Sequence, residues 1–245
     1  MCRLFAIVAE QPKSPELPEI MAPFRALSRQ HPHGWGIAWY FQGGAQVEKS
    51  PTPAFEDPRF MTTCASADSN MVLAHLRRMS AGVPSPANTQ PFTYGNYVFA
   101  HDGTVRTREG LESLLPPEYR GRLRGQTDSE QLFHLILYSI DKGSCQYKVD
   151  CIRDAVSAVK ENLGPGTTSF NFVMSDGERV YAYRSVLEDP DRFSLMYRVR
   201  GPTDKYPGRS VIISSQRLGR GNWNMIEDGT MLTVDRFLNI ESYSL

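Results

Sequence analysis

The sequence predicts one layered α+β domain, and three observations carry that prediction. Nine short runs of strand character crowd the two ends of the chain, two helical stretches occupy its middle, and 245 residues suffice to bury one substantial core. In order, the first run is the continuous apolar series over 3–8, Leu4-Phe5-Ala6-Ile7-Val8 behind Arg3. Runs over 35–41, 71–76 and 97–101 follow, each continuous or alternating in its apolar residues, as half-buried or buried strands are. The helical pattern starts at Asp128. Thr127 stands at its N-cap, Glu130 completes a capping box three residues on, and Leu132, Phe133, Leu135, Ile136 and Ile140 repeat at helical spacing. A second helix is expected from about Asp150 to Asn162, stopped by Gly164-Pro165-Gly166. Strands resume over 169–174, 179–184, 194–199, 210–215 and 231–235. The turn-rich segments Asp189-Pro190-Asp191 and 201–208 punctuate strands and mark no domain boundary, so residues 1–245 are expected to form a single domain.

Composition narrows the function classes. Lysine plus arginine equals aspartate plus glutamate at 27 each, so no basic field points to nucleic acid or to an anionic membrane. No run approaches the ~18–20 apolar residues of a spanning helix and no charged-then-apolar leader opens the chain, which makes the cytoplasm the default compartment. Cys2, Cys64, Cys145 and Cys151 form no CxxC pair and read, in a reducing compartment, as free thiols. His31-Pro32-His33 lacks a cysteine or acid at ligand spacing, so neither a metal nor another cofactor is expected.

Cys2 carries the chemistry. Removal of Met1 would make it an N-terminal nucleophile whose own α-amine acts as base, the two groups titrating near ~7.7–8.0 for the amine and ~8.5 for the thiol. Downstream, in order, stand His33-Gly34-Trp35-Gly36, His75-Leu76-Arg77, Asn88-Thr89-Gln90-Pro91-Phe92, His101-Asp102-Gly103, Thr127-Asp128-Ser129-Glu130, Met174-Ser175-Asp176-Gly177 and Ser215-Gln216. This series resembles the class II glutamine amidotransferase domain of the N-terminal-nucleophile hydrolases, and in particular its free-standing single-domain members. The resemblance implies a four-layer αββα sandwich of two stacked, mainly antiparallel sheets. It also implies a reaction, in which the Cys2 thiolate attacks a γ-carboxamide to give a γ-glutamyl thioester that water hydrolyses.

The same resemblance distributes the roles. Arg77 matches the family's carboxylate-binding arginine, whose planar fork suits a bidentate contact, and Ser80 falls where a small hydroxyl residue assists it. Asp128 matches the aspartate that holds the substrate's α-amino group, although an acid in a first helical turn is also favourable for the helix itself. Gly34 and Trp35 are expected to line the nucleophile's surroundings, Asn88 and Pro91 to lie in a loop over the pocket, His75 to be a satisfied core histidine and Trp223 to serve packing. One position departs from the family. Where Asn-Gly normally supplies an oxyanion hole, this chain has Asp102-Gly103, and an ionised aspartate only accepts hydrogen bonds. Gly103 keeps its backbone donor in either case.

Two functions fit this sequence. One is an amidohydrolase of glutamine or of a γ-glutamyl amide or peptide, acting alone or delivering ammonia to a separate synthase subunit, since the chain stops where multi-domain relatives continue. The other is a catalytically impaired relative that binds a glutamyl group as a regulatory module. The sequence leaves the oligomeric state open.

Overall fold

The computed structural model describes residues 2–12, 16–79, 82–143, 145–190, 192–204 and 206–245. Two sheets, antiparallel throughout, stack face to face. The first has seven strands in the order β11 (Asn224–Met225), β9 (Met196–Arg200), β10 (Ser210–Ser214), β1 (Arg3–Ala9), β4 (Met71–Leu76), β2 (Trp35–Phe41) and β3 (Gly44–Ser50). The second has six, in the order β13 (Ile240–Ser244), β12 (Thr230–Asp235), β8 (Arg179–Arg184), β7 (Asn171–Ser175), β6 (Tyr97–Asp102) and β5 (Phe92–Tyr94).

Alternation along each strand sorts the core into layers. Leu4, Ala6 and Val8 of β1, with Leu73 of β4, meet Val98 and Ala100 of β6 and Val173 of β7 between the sheets. Phe5 and Ile7, the intervening residues of β1, face the other way and pack with Val72 and Ala74 against α1 (Leu17–Ala26) and α2 (Arg59–Ser66) through Met21, Phe24 and Phe60. On the far side, Phe99, Phe172 and Tyr183 of the second sheet pack against Phe133 and Ile136 of α4 (Asp128–Asp141) and Ile152 and Val156 of α5 (Lys148–Glu161), with Phe99 and Phe133 stacked at 5.2 Å. The result is the αββα sandwich. A one-turn helix, α3 (Pro117–Arg120), precedes α4.

All nine expected strands and both expected helices are present, within about two residues at each end. The additions are β3, β5, β11, β13, α1, α2 and α3. Pro18 and Pro23 break the helical reading of α1, although Pro18 sits in the first turn, where its missing N–H would be unpaired anyway. The capping box forms by half. Thr127 Oγ1 accepts from Glu130 N at 3.3 Å, but the Glu130 carboxylate takes the N–H groups of Arg124 (2.8 Å) and Gly125 (2.7 Å) in the preceding loop.

One expectation is overturned. Cys145 and Cys151 are joined in a disulfide, with Cα atoms 5.5 Å apart, because the chain doubles back over the first turn of α5 and brings the two side chains together. Cys2 and Cys64 are free thiols. Among the described residues no helix is long and apolar enough to cross a membrane.

Candidate active site

Strand register assembles the site. In the antiparallel pair of β1 and β4, Arg3 lies opposite Leu76, so the next position outward sets Cys2 against Arg77. Both follow the side-chain parity of Leu4, which faces the space between the sheets. From the second sheet Asp102, the last residue of β6, enters the same space on the side of Val98 and Ala100. Cys2 N donates to Asp102 Oδ1 at 2.5 Å, and Cys2 Sγ lies 3.7 Å from the Arg78 carbonyl.

The motif residues hold these chain ends in place. Ser215 Oγ accepts from Leu4 N at 2.9 Å, and Arg3 bridges Gln216 Oε1 (2.9 Å) to the Cys2 carbonyl (2.8 Å), which fixes the start of β1. Arg77 N donates to the Gly34 carbonyl at 2.8 Å, His33 N to the Arg77 carbonyl at 3.1 Å, and Met79 N to His33 Nδ1 at 3.0 Å. The Arg77 side chain is buried and Nη1 donates to the Val83 carbonyl at 3.1 Å. Asn88 ties Val83 to Gln126, donating to the Val83 carbonyl at 3.1 Å and accepting from Gln126 N at 2.8 Å.

Asp128 opens α4 with both oxygens engaged, one by Val105 N at 2.7 Å and the other by Ser129 N at 2.9 Å. Each oxygen keeps a second lone pair, so a substrate ammonium can still be accepted. Gly103 follows Asp102, and a side chain there would place its Cβ 2.2 Å from the Ser169 carbonyl, so only glycine fits. His101 is turned to the helix layer. Its Nε2 donates to the Ser169 carbonyl at 3.1 Å, which leaves Nδ1 to accept from Ser129 Oγ at 2.9 Å.

Cys2, Arg77, Gly103 and Asp128 line one narrow cleft together with Arg78, Met79, Asn88, Gln90, Thr127 and Ser129. Its free volume is about 20 Å³, room for about one water, so a glutamyl chain must displace lining side chains to enter. A wider hollow of about 610 Å³ lies at the opposite end of the sandwich, around Glu10, Tyr40 and Arg236, and contains none of these groups.

Electrostatics sets the protonation states. Burial, reinforced by the Asp102 carboxyl, pushes the Cys2 thiol up to about 12. Burial likewise raises Asp102 above the usual carboxylate range, against the opposing pull of Arg3. Asp102 is 1% exposed and its Oδ2 has no hydrogen-bond partner.

Several expectations need correction. Trp35 does not wall the nucleophile, because strand parity turns it to the outer face of the first sheet, where its ring meets Phe60 edge-on at 5.3 Å and Nε1 donates to Asp57 Oδ2 at 3.1 Å. Gly34 is absent from the cleft lining as well; its backbone, at φ +136°, packs against Ser50 and Thr89, and its part is to receive the Arg77 N–H. His75 is fully buried with neither ring nitrogen hydrogen-bonded, so it is not a satisfied histidine. Burial first, then Arg77 and His101, hold it neutral well below the usual histidine range. Ser80 lies outside the described residues. Gln90 and Ser129 were not singled out from the sequence as cleft residues. Both sit inside the motifs given above, and Gln90 Oε1 receives His101 N at 2.6 Å, joining the loop that holds Asn88 and Pro91 to the strand that carries Asp102.

Comparisons with known proteins bear on the family and the fold. A family model described as glutamine amidotransferases class-II matches residues 1–206. A probable glutamine amidotransferase of Saccharomyces cerevisiae, DUG3, is 26% identical over 86% of this chain and 72% of its own length. A gamma-glutamyl-hercynylcysteine sulfoxide hydrolase of Mycolicibacterium smegmatis is 28% identical over 73% of each chain. Among solved structures, a glutamine aminotransferase class-II domain protein from Silicibacter pomeroyi superposes with a TM-score of 0.70 at 21% identity over 99% of both chains.

Proposed function

From the premise that the chain belongs to the class II glutamine amidotransferases, we propose that it hydrolyses the γ-amide of glutamine or of a γ-glutamyl compound through a thioester on Cys2. The observation that carries this reading is the convergence of Cys2, Arg77, Asp102 and Asp128 at one end of the gap between the sheets. A thiol held near 12 supplies almost no thiolate at neutral pH, so the nucleophile needs an adjacent base. Loss of Met1 provides one: the freed α-amine of Cys2, with an ordinary range near ~7.7–8.0, takes the thiol proton as sulfur attacks.

Sγ bonds to the amide carbon and the carbonyl oxygen becomes an oxyanion, received by the Gly103 N–H, with Asp102 able to add a second donor only when its carboxyl is protonated. Collapse breaks the C–N bond while the ammonium of Cys2 returns its proton to the leaving nitrogen. Water, deprotonated by the same amine, then attacks the thioester and releases glutamate and the thiol. Arg77 holds the substrate α-carboxylate and Asp128 its α-ammonium. The relative named as a γ-glutamyl-hercynylcysteine sulfoxide hydrolase favours a γ-glutamyl amide substrate, with glutamine and a separate ammonia-accepting subunit as the variant case. The reaction as written needs no metal or cofactor, and the site, built for a small zwitterion, needs neither nucleic acid nor membrane.

The second reading, a glutamyl-binding module without turnover, is favoured by the acceptor-only carboxylate of Asp102. A panel of γ-glutamyl amides assayed by released amine, with intact-mass detection of a glutamyl adduct on Cys2, separates the two. An adduct that forms and turns over establishes hydrolysis, whereas saturable binding without adduct establishes the module.

Recognition is testable separately. Arg77→Ala removes a charged, bidentate partner and is expected to lower kcat/KM by about 1.5–3 kcal/mol, or about 10- to 150-fold. Unchanged kcat/KM in that variant would place the carboxylate elsewhere.

A further inference from the structure

A second cavity of about 320 Å³ opens where β3, β5 and α4 meet, and it shares no lining residue with the cleft at Cys2. Its walls carry Lys49, Arg122 and Arg124 against one acid, Glu130. Three cations against one carboxylate leave the lining a surplus of positive charge, and both Glu130 oxygens are held by the Arg124 and Gly125 N–H groups. Lys49 Nζ spends two donors on the carbonyls of Thr89 (2.9 Å) and Pro91 (3.4 Å) and keeps a third.

Two side-chain nitrogens there, Arg122 Nη1 and His134 Nδ1, are sealed without a hydrogen-bond partner, although Arg122 is ion-paired with Asp141. The Arg122 guanidinium is stacked over Tyr119 at 4.0 Å and over Tyr94 at 4.8 Å, and its Nη1 makes no hydrogen bond, Asp141 Oδ2 being 3.8 Å away. His134 is 4% exposed, and burial, with Arg122 beside it, lowers it to about 4, so its ring is neutral near pH 7. Its Nδ1 is sealed without a partner. A sealed lone pair is tolerated far better than a sealed N–H, which puts the proton on Nε2, the nitrogen left to face the cavity. The remaining walls are flat: the Tyr94 ring meets His134 edge-on at 5.9 Å, and Phe92 lies under Lys49 at 5.5 Å.

We propose that this cavity binds a small organic anion with a planar body, its anionic head on Arg122, Arg124 and His134 Nε2 and its body against the exposed Tyr94 ring. Aryl carboxylates and aryl phosphates are the class that fits. The proposal is independent of the chemistry at Cys2.

The test uses the whole chain as Cys2→Ala, so that no turnover contributes, with phenyl phosphate and inorganic phosphate as probes. Calorimetry and the His134 ring resonances are expected to report saturable phenyl phosphate binding, with inorganic phosphate at least about 10-fold weaker because it cannot use the aromatic wall. Arg124→Ala alters only an exposed side chain and is expected to weaken phenyl phosphate about 10-fold; Arg122→Ala is expected to weaken it further. Three results would overturn the proposal: no saturation up to ~10 mM of either probe, equal affinity for the two, or binding unaffected by Arg124→Ala.

Discussion

An Asp102→Asn variant is expected to hydrolyse γ-glutamyl amides about 10²-fold faster than the natural sequence at neutral pH, the scale of one oxyanion-hole donor. Asn Oδ1 can keep the contact that Asp102 Oδ1 makes with Cys2 N at 2.5 Å. The amide nitrogen then takes the place of Oδ2, which has no partner, and turns an acceptor into a donor toward the developing oxyanion. The substitution also removes the charge that helps raise the Cys2 thiol, and it lets the α-amine release its proton more readily. All three effects act in the same direction.

The pH dependence has a definite sign. Burial raises Asp102 in the folded protein, so between its unfolded value near ~3.9 and its higher folded value the native state binds more protons than the unfolded one. Stability attributable to this carboxyl therefore falls as pH rises through that window. Asp102→Asn is expected to be the more stable protein at neutral pH, because its amide buries no charge, with the gain fading toward pH 4. Thermal unfolding of both proteins at a series of pH values measures this. A variant no faster than wild type from pH 5 to 9 would show that the carboxyl is already a protonated donor or stands outside the hole.

The second large effect concerns Cys2 itself. Cys2→Ala is expected to lose about 10⁴-fold or more in kcat, since among the described residues no other thiol lines the cleft to form the thioester. A chain that retains Met1 should be nearly as slow, because an amide nitrogen cannot take a proton from a thiol near 12. Intact mass of the active protein measures the processing, and full activity with Met1 in place would rule out the N-terminal amine as base.

Most of the sandwich was legible because its central strands are strongly apolar or strictly alternating, as in Leu4-Phe5-Ala6-Ile7-Val8. What escaped was weakly patterned. β3, Gly44–Ser50, carries only Ala45 and Val47 inward among polar residues, and β13 is mostly exposed, so neither shows the apolar signal of a buried strand. The order of the motifs was enough to bring Cys2, Arg77 and Asp128 to one cleft. The placement of Trp35 was not legible, because alternation tells which residues share a face but not which face meets the second sheet. The disulfide depends on how the chain doubles back before α5, and spacing alone does not fix that path. The partner of Asp102 was hidden for a similar reason: 100 residues separate it from Cys2, and only the stacking of the sheets joins them.

The position of β1 has a consequence for how the enzyme fails. It is paired on both sides, by β10 and β4, and buried on both faces, so its amides belong to the part of the molecule that opens last. The Cys2 thiol is thus the first residue ahead of a strand paired on both edges and buried on both faces. Partial loosening at the periphery, for instance of the edge strands β11 or β13, leaves that thiol seated. Heating should therefore leave turnover largely intact until the whole sandwich melts, with inactivation and global unfolding falling together on the temperature axis.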